Sequence, residues 1–120
     1  MEHAMSGLFR AKLCKDLKPQ GVHEALKTGE VVLIDVREPH EFAAERIEGA
    51  LPFPLSSFDP SALPAAEGRR IVMQCGSGMR SAKAVDLCQR AGLEVDRHLA
   101  GGINAWKMAG LPTISGPAKP

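Results

Sequence analysis

Arg70-Ile71-Val72-Met73-Gln74-Cys75-Gly76-Ser77-Gly78-Met79-Arg80-Ser81 is the stretch from which the fold is read. Ile71 to Met73 is a short, apolar, β-leaning run, as expected of a parallel strand buried on both faces. Beyond the loop, Ala84, Val85, Cys88 and Ala91 share one face of a helix that runs from Ser81 to Ala91, and Gly92 ends it. Cys75 therefore stands at the tip of a strand and faces the start of a helix. In open α/β sheets this is where ligands bind.

The loop composition points the same way by a separate route. Gly76 and Gly78 lack the Cβ atoms that would stop successive backbone N–H groups from turning inward. Such a nest of amides, extended by Ser77, Met79, Ser81 and the free N–H groups of the helix, holds an anion without any side-chain charge. If that anion is the Cys75 sulfur, its pKa should fall from about 8.5 towards roughly 3.5 to 7.5. Arg80 adds a permanent charge and a planar fork suited to two oxygens of a sulfonate-like or phosphate-like group. The loop reads as a thiolate nucleophile in an oxyanion cradle, against the plainer reading of a buried cysteine at a tight turn.

Working outward, strand and helix alternate. Cys14 to Leu17 suits a first edge strand, and Pro19 opens a helix that Gly29 stops. Val31 to Val36 is apolar on both faces and reads as a central strand whose end delivers Asp35, Arg37 and Glu38. Pro39 starts a short helix to about Arg46. Ala50 to Leu55, with Pro52 and Pro54, can pair only as an edge. Ser56 to Gly68 reads as one helical turn plus loop, Val95 to Leu99 as a further strand, and Ile103 to Ala109 as a helix closed by Gly110. The alternation predicts an α/β fold with a parallel sheet and helices on both faces. Residues 1–12 read as a lead-in, in part an expression leftover marked by the second methionine at Met5; 13–114 form one domain, and 115–120 a flexible tail.

A chain of 120 residues can bury one core without disulfides or metals. Its formal net charge of +1 leaves no basic footprint for nucleic acid, and its few aromatics are not interleaved with basic residues. No apolar run approaches a membrane span, and the first residues lack a signal-peptide pattern. Three cysteines at irregular spacing make neither a disulfide framework nor a paired zinc motif, so a reducing, cytoplasmic setting is expected. The short chain, without an obvious exposed apolar helix, suggests a monomer.

Other reactive residues are weighed singly. Cys88 falls on the apolar helix face and reads as core, with a resolving thiol for Cys75 as the alternative. Cys14 has no assigned role. His3, His23, His40 and His98 share no metal spacing. His40 and His98 lie just after strands and could donate protons, but the surface reading is favoured for both. Asp35 and Arg37 are read as supporting the site or as a structural ion pair. Trp106 reads as packing the last helix onto the sheet.

Three blocks now match a known family in order and spacing. They are Ile34-Asp35-Val36-Arg37-Glu38-Pro39-His40-Glu41-Phe42 with Ile47-Glu48-Gly49-Ala50 after it, the loop Cys75 to Ser81, and Leu99-Ala100-Gly101-Gly102-Ile103-Asn104-Ala105-Trp106 with Gly110-Leu111-Pro112. From about Leu17 to Pro112 the chain resembles a single-domain rhodanese, a thiosulfate sulfurtransferase-like protein. The resemblance implies a five-stranded, mostly parallel sheet flanked by helices. It also implies a cycle in which Cys75 takes a sulfane sulfur from a donor as a persulfide and passes it to cyanide or a thiol, with no metal or organic cofactor. On it, the amides from Gly76 to Ser81 stabilise the persulfide and Arg80 positions the donor's oxyanion. The family often has Gly-His just before the residue at Ile47, where this chain has Glu45-Arg46. The opening Cys75-Gly76-Ser77-Gly78 also resembles the mercaptopyruvate sulfurtransferase loop, which leaves the donor open.

Two rival readings stand beside it. A phosphatase or arsenate reductase of related fold generally places five residues between Cys and Arg; here there are four, Gly76 to Met79, and the narrower cradle suits one added sulfur atom. The other rival is a relay module that passes persulfide sulfur to a protein partner with little turnover of its own.

Overall fold

The computed structural model describes residues 14–116. Strands β1 (Lys15–Leu17), β2 (Val31–Asp35), β4 (Leu51–Pro52), β5 (Arg70–Gln74) and β6 (Arg97–Leu99) form one sheet in the order β1-β6-β5-β2-β4. Every pairing in it is parallel. β2 and β5 are central and match residue for residue from Val31 with Arg70 to Asp35 with Gln74. Their alternate residues feed two cores, because successive side chains of a strand point to opposite faces. Val32, Ile34, Met73 and Cys75 pack with Ala84, Val85 and Cys88 of helix α3 (Met79–Arg90) on one face. Leu33 and Val72 pack with Val22 of α1 (Pro19–Thr28) and with Ile103 and Trp106 of α4 (Gly102–Met108) on the other. The helices thus cover both faces, as the sequence predicts.

Several boundaries differ from the sequence reading. The helix from Pro39, α2, ends at Ala44 instead of Arg46. Glu45–Arg46 is instead a short strand, β3, paired antiparallel with β7 (Ile114–Ser115). Ser115, read as the start of a flexible tail, is therefore in a strand, while the lead-in 1–12 and residues 117–120 lie outside the described residues. The departure at Glu45-Arg46 has a visible use. Arg46 donates to the carbonyl of Gly116 at 2.7 Å, and the Glu45 carboxylate accepts from Lys107 Nζ at 2.7 Å and Thr113 Oγ1 at 2.6 Å. These bonds fasten the segment after α4 to the body of the domain. Helix α3 begins at Met79 rather than Ser81, and the strand expected over Val95 to Leu99 is shortened to Arg97–Leu99. β4, with its proline, lies at the sheet edge as expected. Trp106 is fully buried in the second core, and its indole N–H donates to the Pro112 carbonyl at 2.8 Å. No helix among the described residues is long and apolar enough to cross a membrane.

Candidate active site

Cys75 follows β5 directly, and the next residues are held from outside by α4. The amide of Ile103 donates to the Cys75 carbonyl at 2.8 Å, and that of Asn104 to the Gly76 carbonyl at 3.1 Å. Across a trans peptide the carbonyl and the next N–H point in opposite directions. Turning the Gly76 carbonyl towards α4 therefore turns the Ser77 amide the other way, and that amide is one of the donors acting on the Cys75 sulfur. Gly78 takes φ +109°, a conformation that favours glycine, and starts α3 over the loop.

The result is a sulfur surrounded by donors. Cys75 Sγ accepts from the amides of Gly78 at 3.1 Å and Ser81 at 3.3 Å, and the Ser81 hydroxyl stands 3.5 Å away. Burial alone would push the thiol pKa up. The hydrogen bonds from the Ser81 hydroxyl and from the amides of Ser81, Gly78 and Ser77 outweigh it, and the net shift is downward. The other two cysteines show what burial does without such donors. Both Cys14 and Cys88 are pushed up to about 11, chiefly by burial. Cys88 is fully buried in the α3 core, as its helical position suggests.

Arg80 reaches back over the loop, with one guanidinium nitrogen so placed that a Cβ on Gly76 would stand 3.2 Å from it. Its fork is engaged by Glu41 of α2, at 2.7 and 3.1 Å. Glu41 also accepts from the amide of Glu38 at 2.8 Å, so the start of α2 fixes its position. Its hydrogen bond with Arg80 leads the causes that hold the Glu41 carboxyl down at about 2. It therefore stays ionised across the neutral range. Sequence reasoning quoted Glu41 only as part of a motif; nothing local shows that an acid 39 residues upstream meets Arg80. Met79 is exposed beside the loop, and Ser81 is buried beneath it.

Asp35 and Arg37 form a buried pair, with Arg37 NH2 to Asp35 Oδ2 at 2.8 Å and Nε to Oδ1 at 3.1 Å. Arg37 also donates to the carbonyls of Glu45 at 2.6 Å and Glu41 at 3.4 Å. Their side-chain bonds run to each other and to the backbone at α2, so the pair braces the helix that presents Glu41. Replacing Asp35 by Ala leaves a buried guanidinium without its carboxylate and should cost about 3 kcal/mol of stability, read as a lower denaturant midpoint at unchanged slope. An unchanged midpoint would remove this bracing role.

The histidines divide. His40 is exposed, as the surface reading expects. His98 is buried, contrary to that reading, because β6 turns it inward beneath α3. Its Nδ1 lies 2.7 Å from Ser81 Oγ, and its Nε2 lies 2.7 Å from Asp16 Oδ1.

Comparison with known proteins settles the family. Residues 18–109 match the profile of the rhodanese-like domain. The chain belongs to the rhodanese-like family. This rhodanese-like domain is 34% identical over 88 residues to a sulfurtransferase of Allochromatium vinosum, a match covering 73% of this chain and 82% of that protein. It is 45% identical over 98 residues to an uncharacterized protein of Synechocystis, across 82% of this chain and 55% of the relative. The chain thus spans about half that relative's length. Among solved structures, the thiosulfate sulfurtransferase of Pseudomonas aeruginosa superimposes with a TM-score of 0.73 at 29% identity, covering 88% of this chain and 20% of that one. The five-stranded parallel sheet and four helices are those of the rhodanese-like fold.

Proposed function

We propose that this rhodanese-like protein is a sulfurtransferase that moves a sulfane sulfur from an anionic donor such as thiosulfate to cyanide or a thiol through a persulfide on Cys75. The observation that carries the reading is the lowered Cys75 thiol, ringed by amides and the Ser81 hydroxyl, in a chain whose other two cysteines are shifted upward. The Allochromatium vinosum relative, named a sulfurtransferase and matched over most of its length, supports it. In the cycle the Cys75 thiolate attacks the outer sulfur of thiosulfate. The donor's S–S bond breaks, sulfite leaves with the electron pair, and a persulfide anion stays in the cradle. A nucleophilic acceptor then takes the terminal sulfur, and Cys75 returns as thiolate. Charge throughout rests on fixed dipoles that need no rearrangement during reaction.

Intact mass is the test. Incubation with thiosulfate should add one sulfur atom, about 32 Da, to Cys75, and cyanide should remove it. No gain with thiosulfate or mercaptopyruvate would overturn the reading. Release of phosphate from an aryl phosphate would put a phosphatase in its place.

One observation favours the relay as a second reading. Cys75 has no exposed surface and the Arg80 fork is occupied by Glu41, so an anionic donor must first open the site. Rapid thiosulfate turnover marks the enzyme, whereas a stable persulfide with trivial turnover marks the relay.

The same ion pair gives a second prediction. Donor oxyanion and Glu41 compete for one guanidinium fork, so the two partners should act in opposite directions. Arg80→Ala should raise the KM for thiosulfate about tenfold or more, the scale of a charged hydrogen bond. Glu41→Gln should lower it about threefold, since the pair it removes is partly exposed. Steady-state kinetics with both variants decides; an unchanged KM in each would take Arg80 out of donor binding.

A further inference from the structure

Cys75 lies at one end of a continuous polar chain that does not include Arg80. The sulfur meets Ser81 Oγ at 3.5 Å, Ser81 Oγ meets His98 Nδ1 at 2.7 Å, and His98 Nε2 meets Asp16 Oδ1 at 2.7 Å. Cys75, Ser81 and His98 are buried, while the Asp16 side chain is 75% exposed. The chain therefore runs from a sealed sulfur to solvent. Its members come from four elements: the loop after β5, helix α3, strand β6 and strand β1. The parallel register sets Asp16 beside His98, so both side chains point to the face that α3 covers.

We propose that Ser81, His98 and Asp16 form a proton relay that receives the Cys75 thiol proton and stores it on His98 as an imidazolium facing Asp16. The inference rests on the sulfurtransferase reading for its purpose but not for its test.

The contacts accommodate both ends of the transfer. The Ser81–His98 contact of 2.7 Å holds a hydrogen between oxygen and nitrogen, Nε2–H donates to the Asp16 carboxylate at 2.7 Å, and the Ser81 hydroxyl also reaches the Gly78 carbonyl at 3.2 Å. In the thiol state Cys75 S–H donates to Ser81 Oγ, Ser81 O–H donates to Nδ1, and Nε2–H donates to Asp16. In the thiolate state each of the first two hydrogens has moved one step. Ser81 O–H then donates to the sulfur, and Nδ1–H donates to Ser81 Oγ. One S–H and one O–H bond break while one O–H and one N–H bond form, and no electron leaves the chain. The charge changes from a neutral thiol and imidazole to a thiolate and imidazolium separated by one hydroxyl.

The arrangement matters because the sulfur has no exposed surface through which water could take the proton directly. Among the described residues, Asp16 of β1 is the charged group paired with His98, and Gly78 of the loop packs by the ring, where a Cβ would stand 3.7 Å from His98 Cε1. At the sulfur end Arg80 of α3 adds its charge, itself paired with Glu41 of α2. The hydroxyl and amide of Ser81 are the first two of the hydrogen-bonding causes that lower the Cys75 thiol. Ser81 is thus a catalytic residue in the proposed sense, since it touches the reacting sulfur. His98 and Asp16 are positioning residues that act through it.

The test needs no sulfur donor. Thiolate absorbance and the imidazole C–H proton resonances are followed over the same pH titration of the full-length protein. The relay requires a pH range in which the Cys75 thiolate and the His98 imidazolium coexist, ending when the imidazolium loses its proton. A His98 that is already neutral wherever the thiolate is present would overturn the proposal. His98→Asn keeps a polar group but cannot take the proton; it should raise the pH at which Cys75 alkylates by about one unit, a tenfold loss of thiolate. An unchanged alkylation profile in folded H98N protein would also overturn it. Coexistence of thiolate and imidazolium without a mass gain from thiosulfate would leave the relay standing and remove the sulfurtransferase reading, so the two fail separately.

Discussion

Cys75→Ser should abolish the cyanide-removable mass gain and lower sulfur transfer on the order of 10⁴-fold or more, as loss of a covalent nucleophile does. The amides that lower the Cys75 thiol act on a group whose ordinary pKa is already near 8.5. A serine hydroxyl lies so far above that range that the same donors leave it protonated at neutral pH, and an oxygen offers no low-lying route to a stable sulfur adduct. The fold should survive. The new hydroxyl would be buried, but Gly78 N–H, Ser81 N–H and the Ser81 hydroxyl already converge on its position. Stability should therefore stay within about 1 kcal/mol of the parent, since each polar atom keeps a partner. Circular dichroism with a denaturant midpoint establishes folding, and intact mass establishes chemistry. A folded serine variant that still transfers sulfur would remove Cys75 from the mechanism.

The geometry of the candidate site was legible in the sequence where the informative residues are adjacent. Cys75 to Ser81 encode their own geometry: a strand run ends, glycines allow the amides to turn, and a helix begins. β2 and β5 were legible because they are apolar on both faces, which only a central parallel strand requires. What stayed hidden is pairing across distance. Glu45–Arg46 and Ile114–Ser115 are two residues each, too short to show a period of two, and their partnership is settled by Arg46 reaching Gly116.

The Glu41–Arg80 bond and the burial of His98 stayed hidden for related reasons. A glutamate in the first turn of a helix is explained locally by its bond to the Glu38 amide, so no local anomaly announces a second role. A histidine two residues into a short strand can face either way. Only the register of β1 on β6, which aligns Asp16 with His98, decides that it faces α3 and Ser81. The sequence reading of a surface histidine was reasonable for His40 and failed for His98. The face of β6 that carries His98 is covered by the start of α3, where Ser81 meets the ring, so the histidine has little access to solvent.

Gly102→Ala should disrupt the site almost as thoroughly as removal of the sulfur, although Gly102 bears no reactive group. The residue has φ +61°, a left-handed conformation that costs roughly 1–3 kcal/mol for a residue with a Cβ. Space is the larger obstacle. An added Cβ would press into the Cys75 carbonyl oxygen and stand 2.5 Å from both the carbon and the oxygen of the Gly76 carbonyl. These are backbone atoms, so no side chain can swing aside. Either α4 must back away or the loop must move, and each response breaks the bonds from Ile103 and Asn104 that hold the loop carbonyls outward. Overpacking of this kind costs a further ~1–3 kcal/mol. A loop displaced from α4 turns its amides away from Sγ, and the Cys75 thiol should then titrate higher than in the parent protein. The expected result is a destabilised domain whose surviving folded fraction alkylates more slowly at neutral pH. Gly21, in the exposed part of α1 with nothing within 4 Å of its added Cβ, supplies the control. Gly21→Ala should be neutral or slightly stabilising, because alanine favours a helix over glycine. If G102A matches G21A in both midpoint and alkylation rate, the packing of α4 on the loop does not hold the sulfur's donors in place.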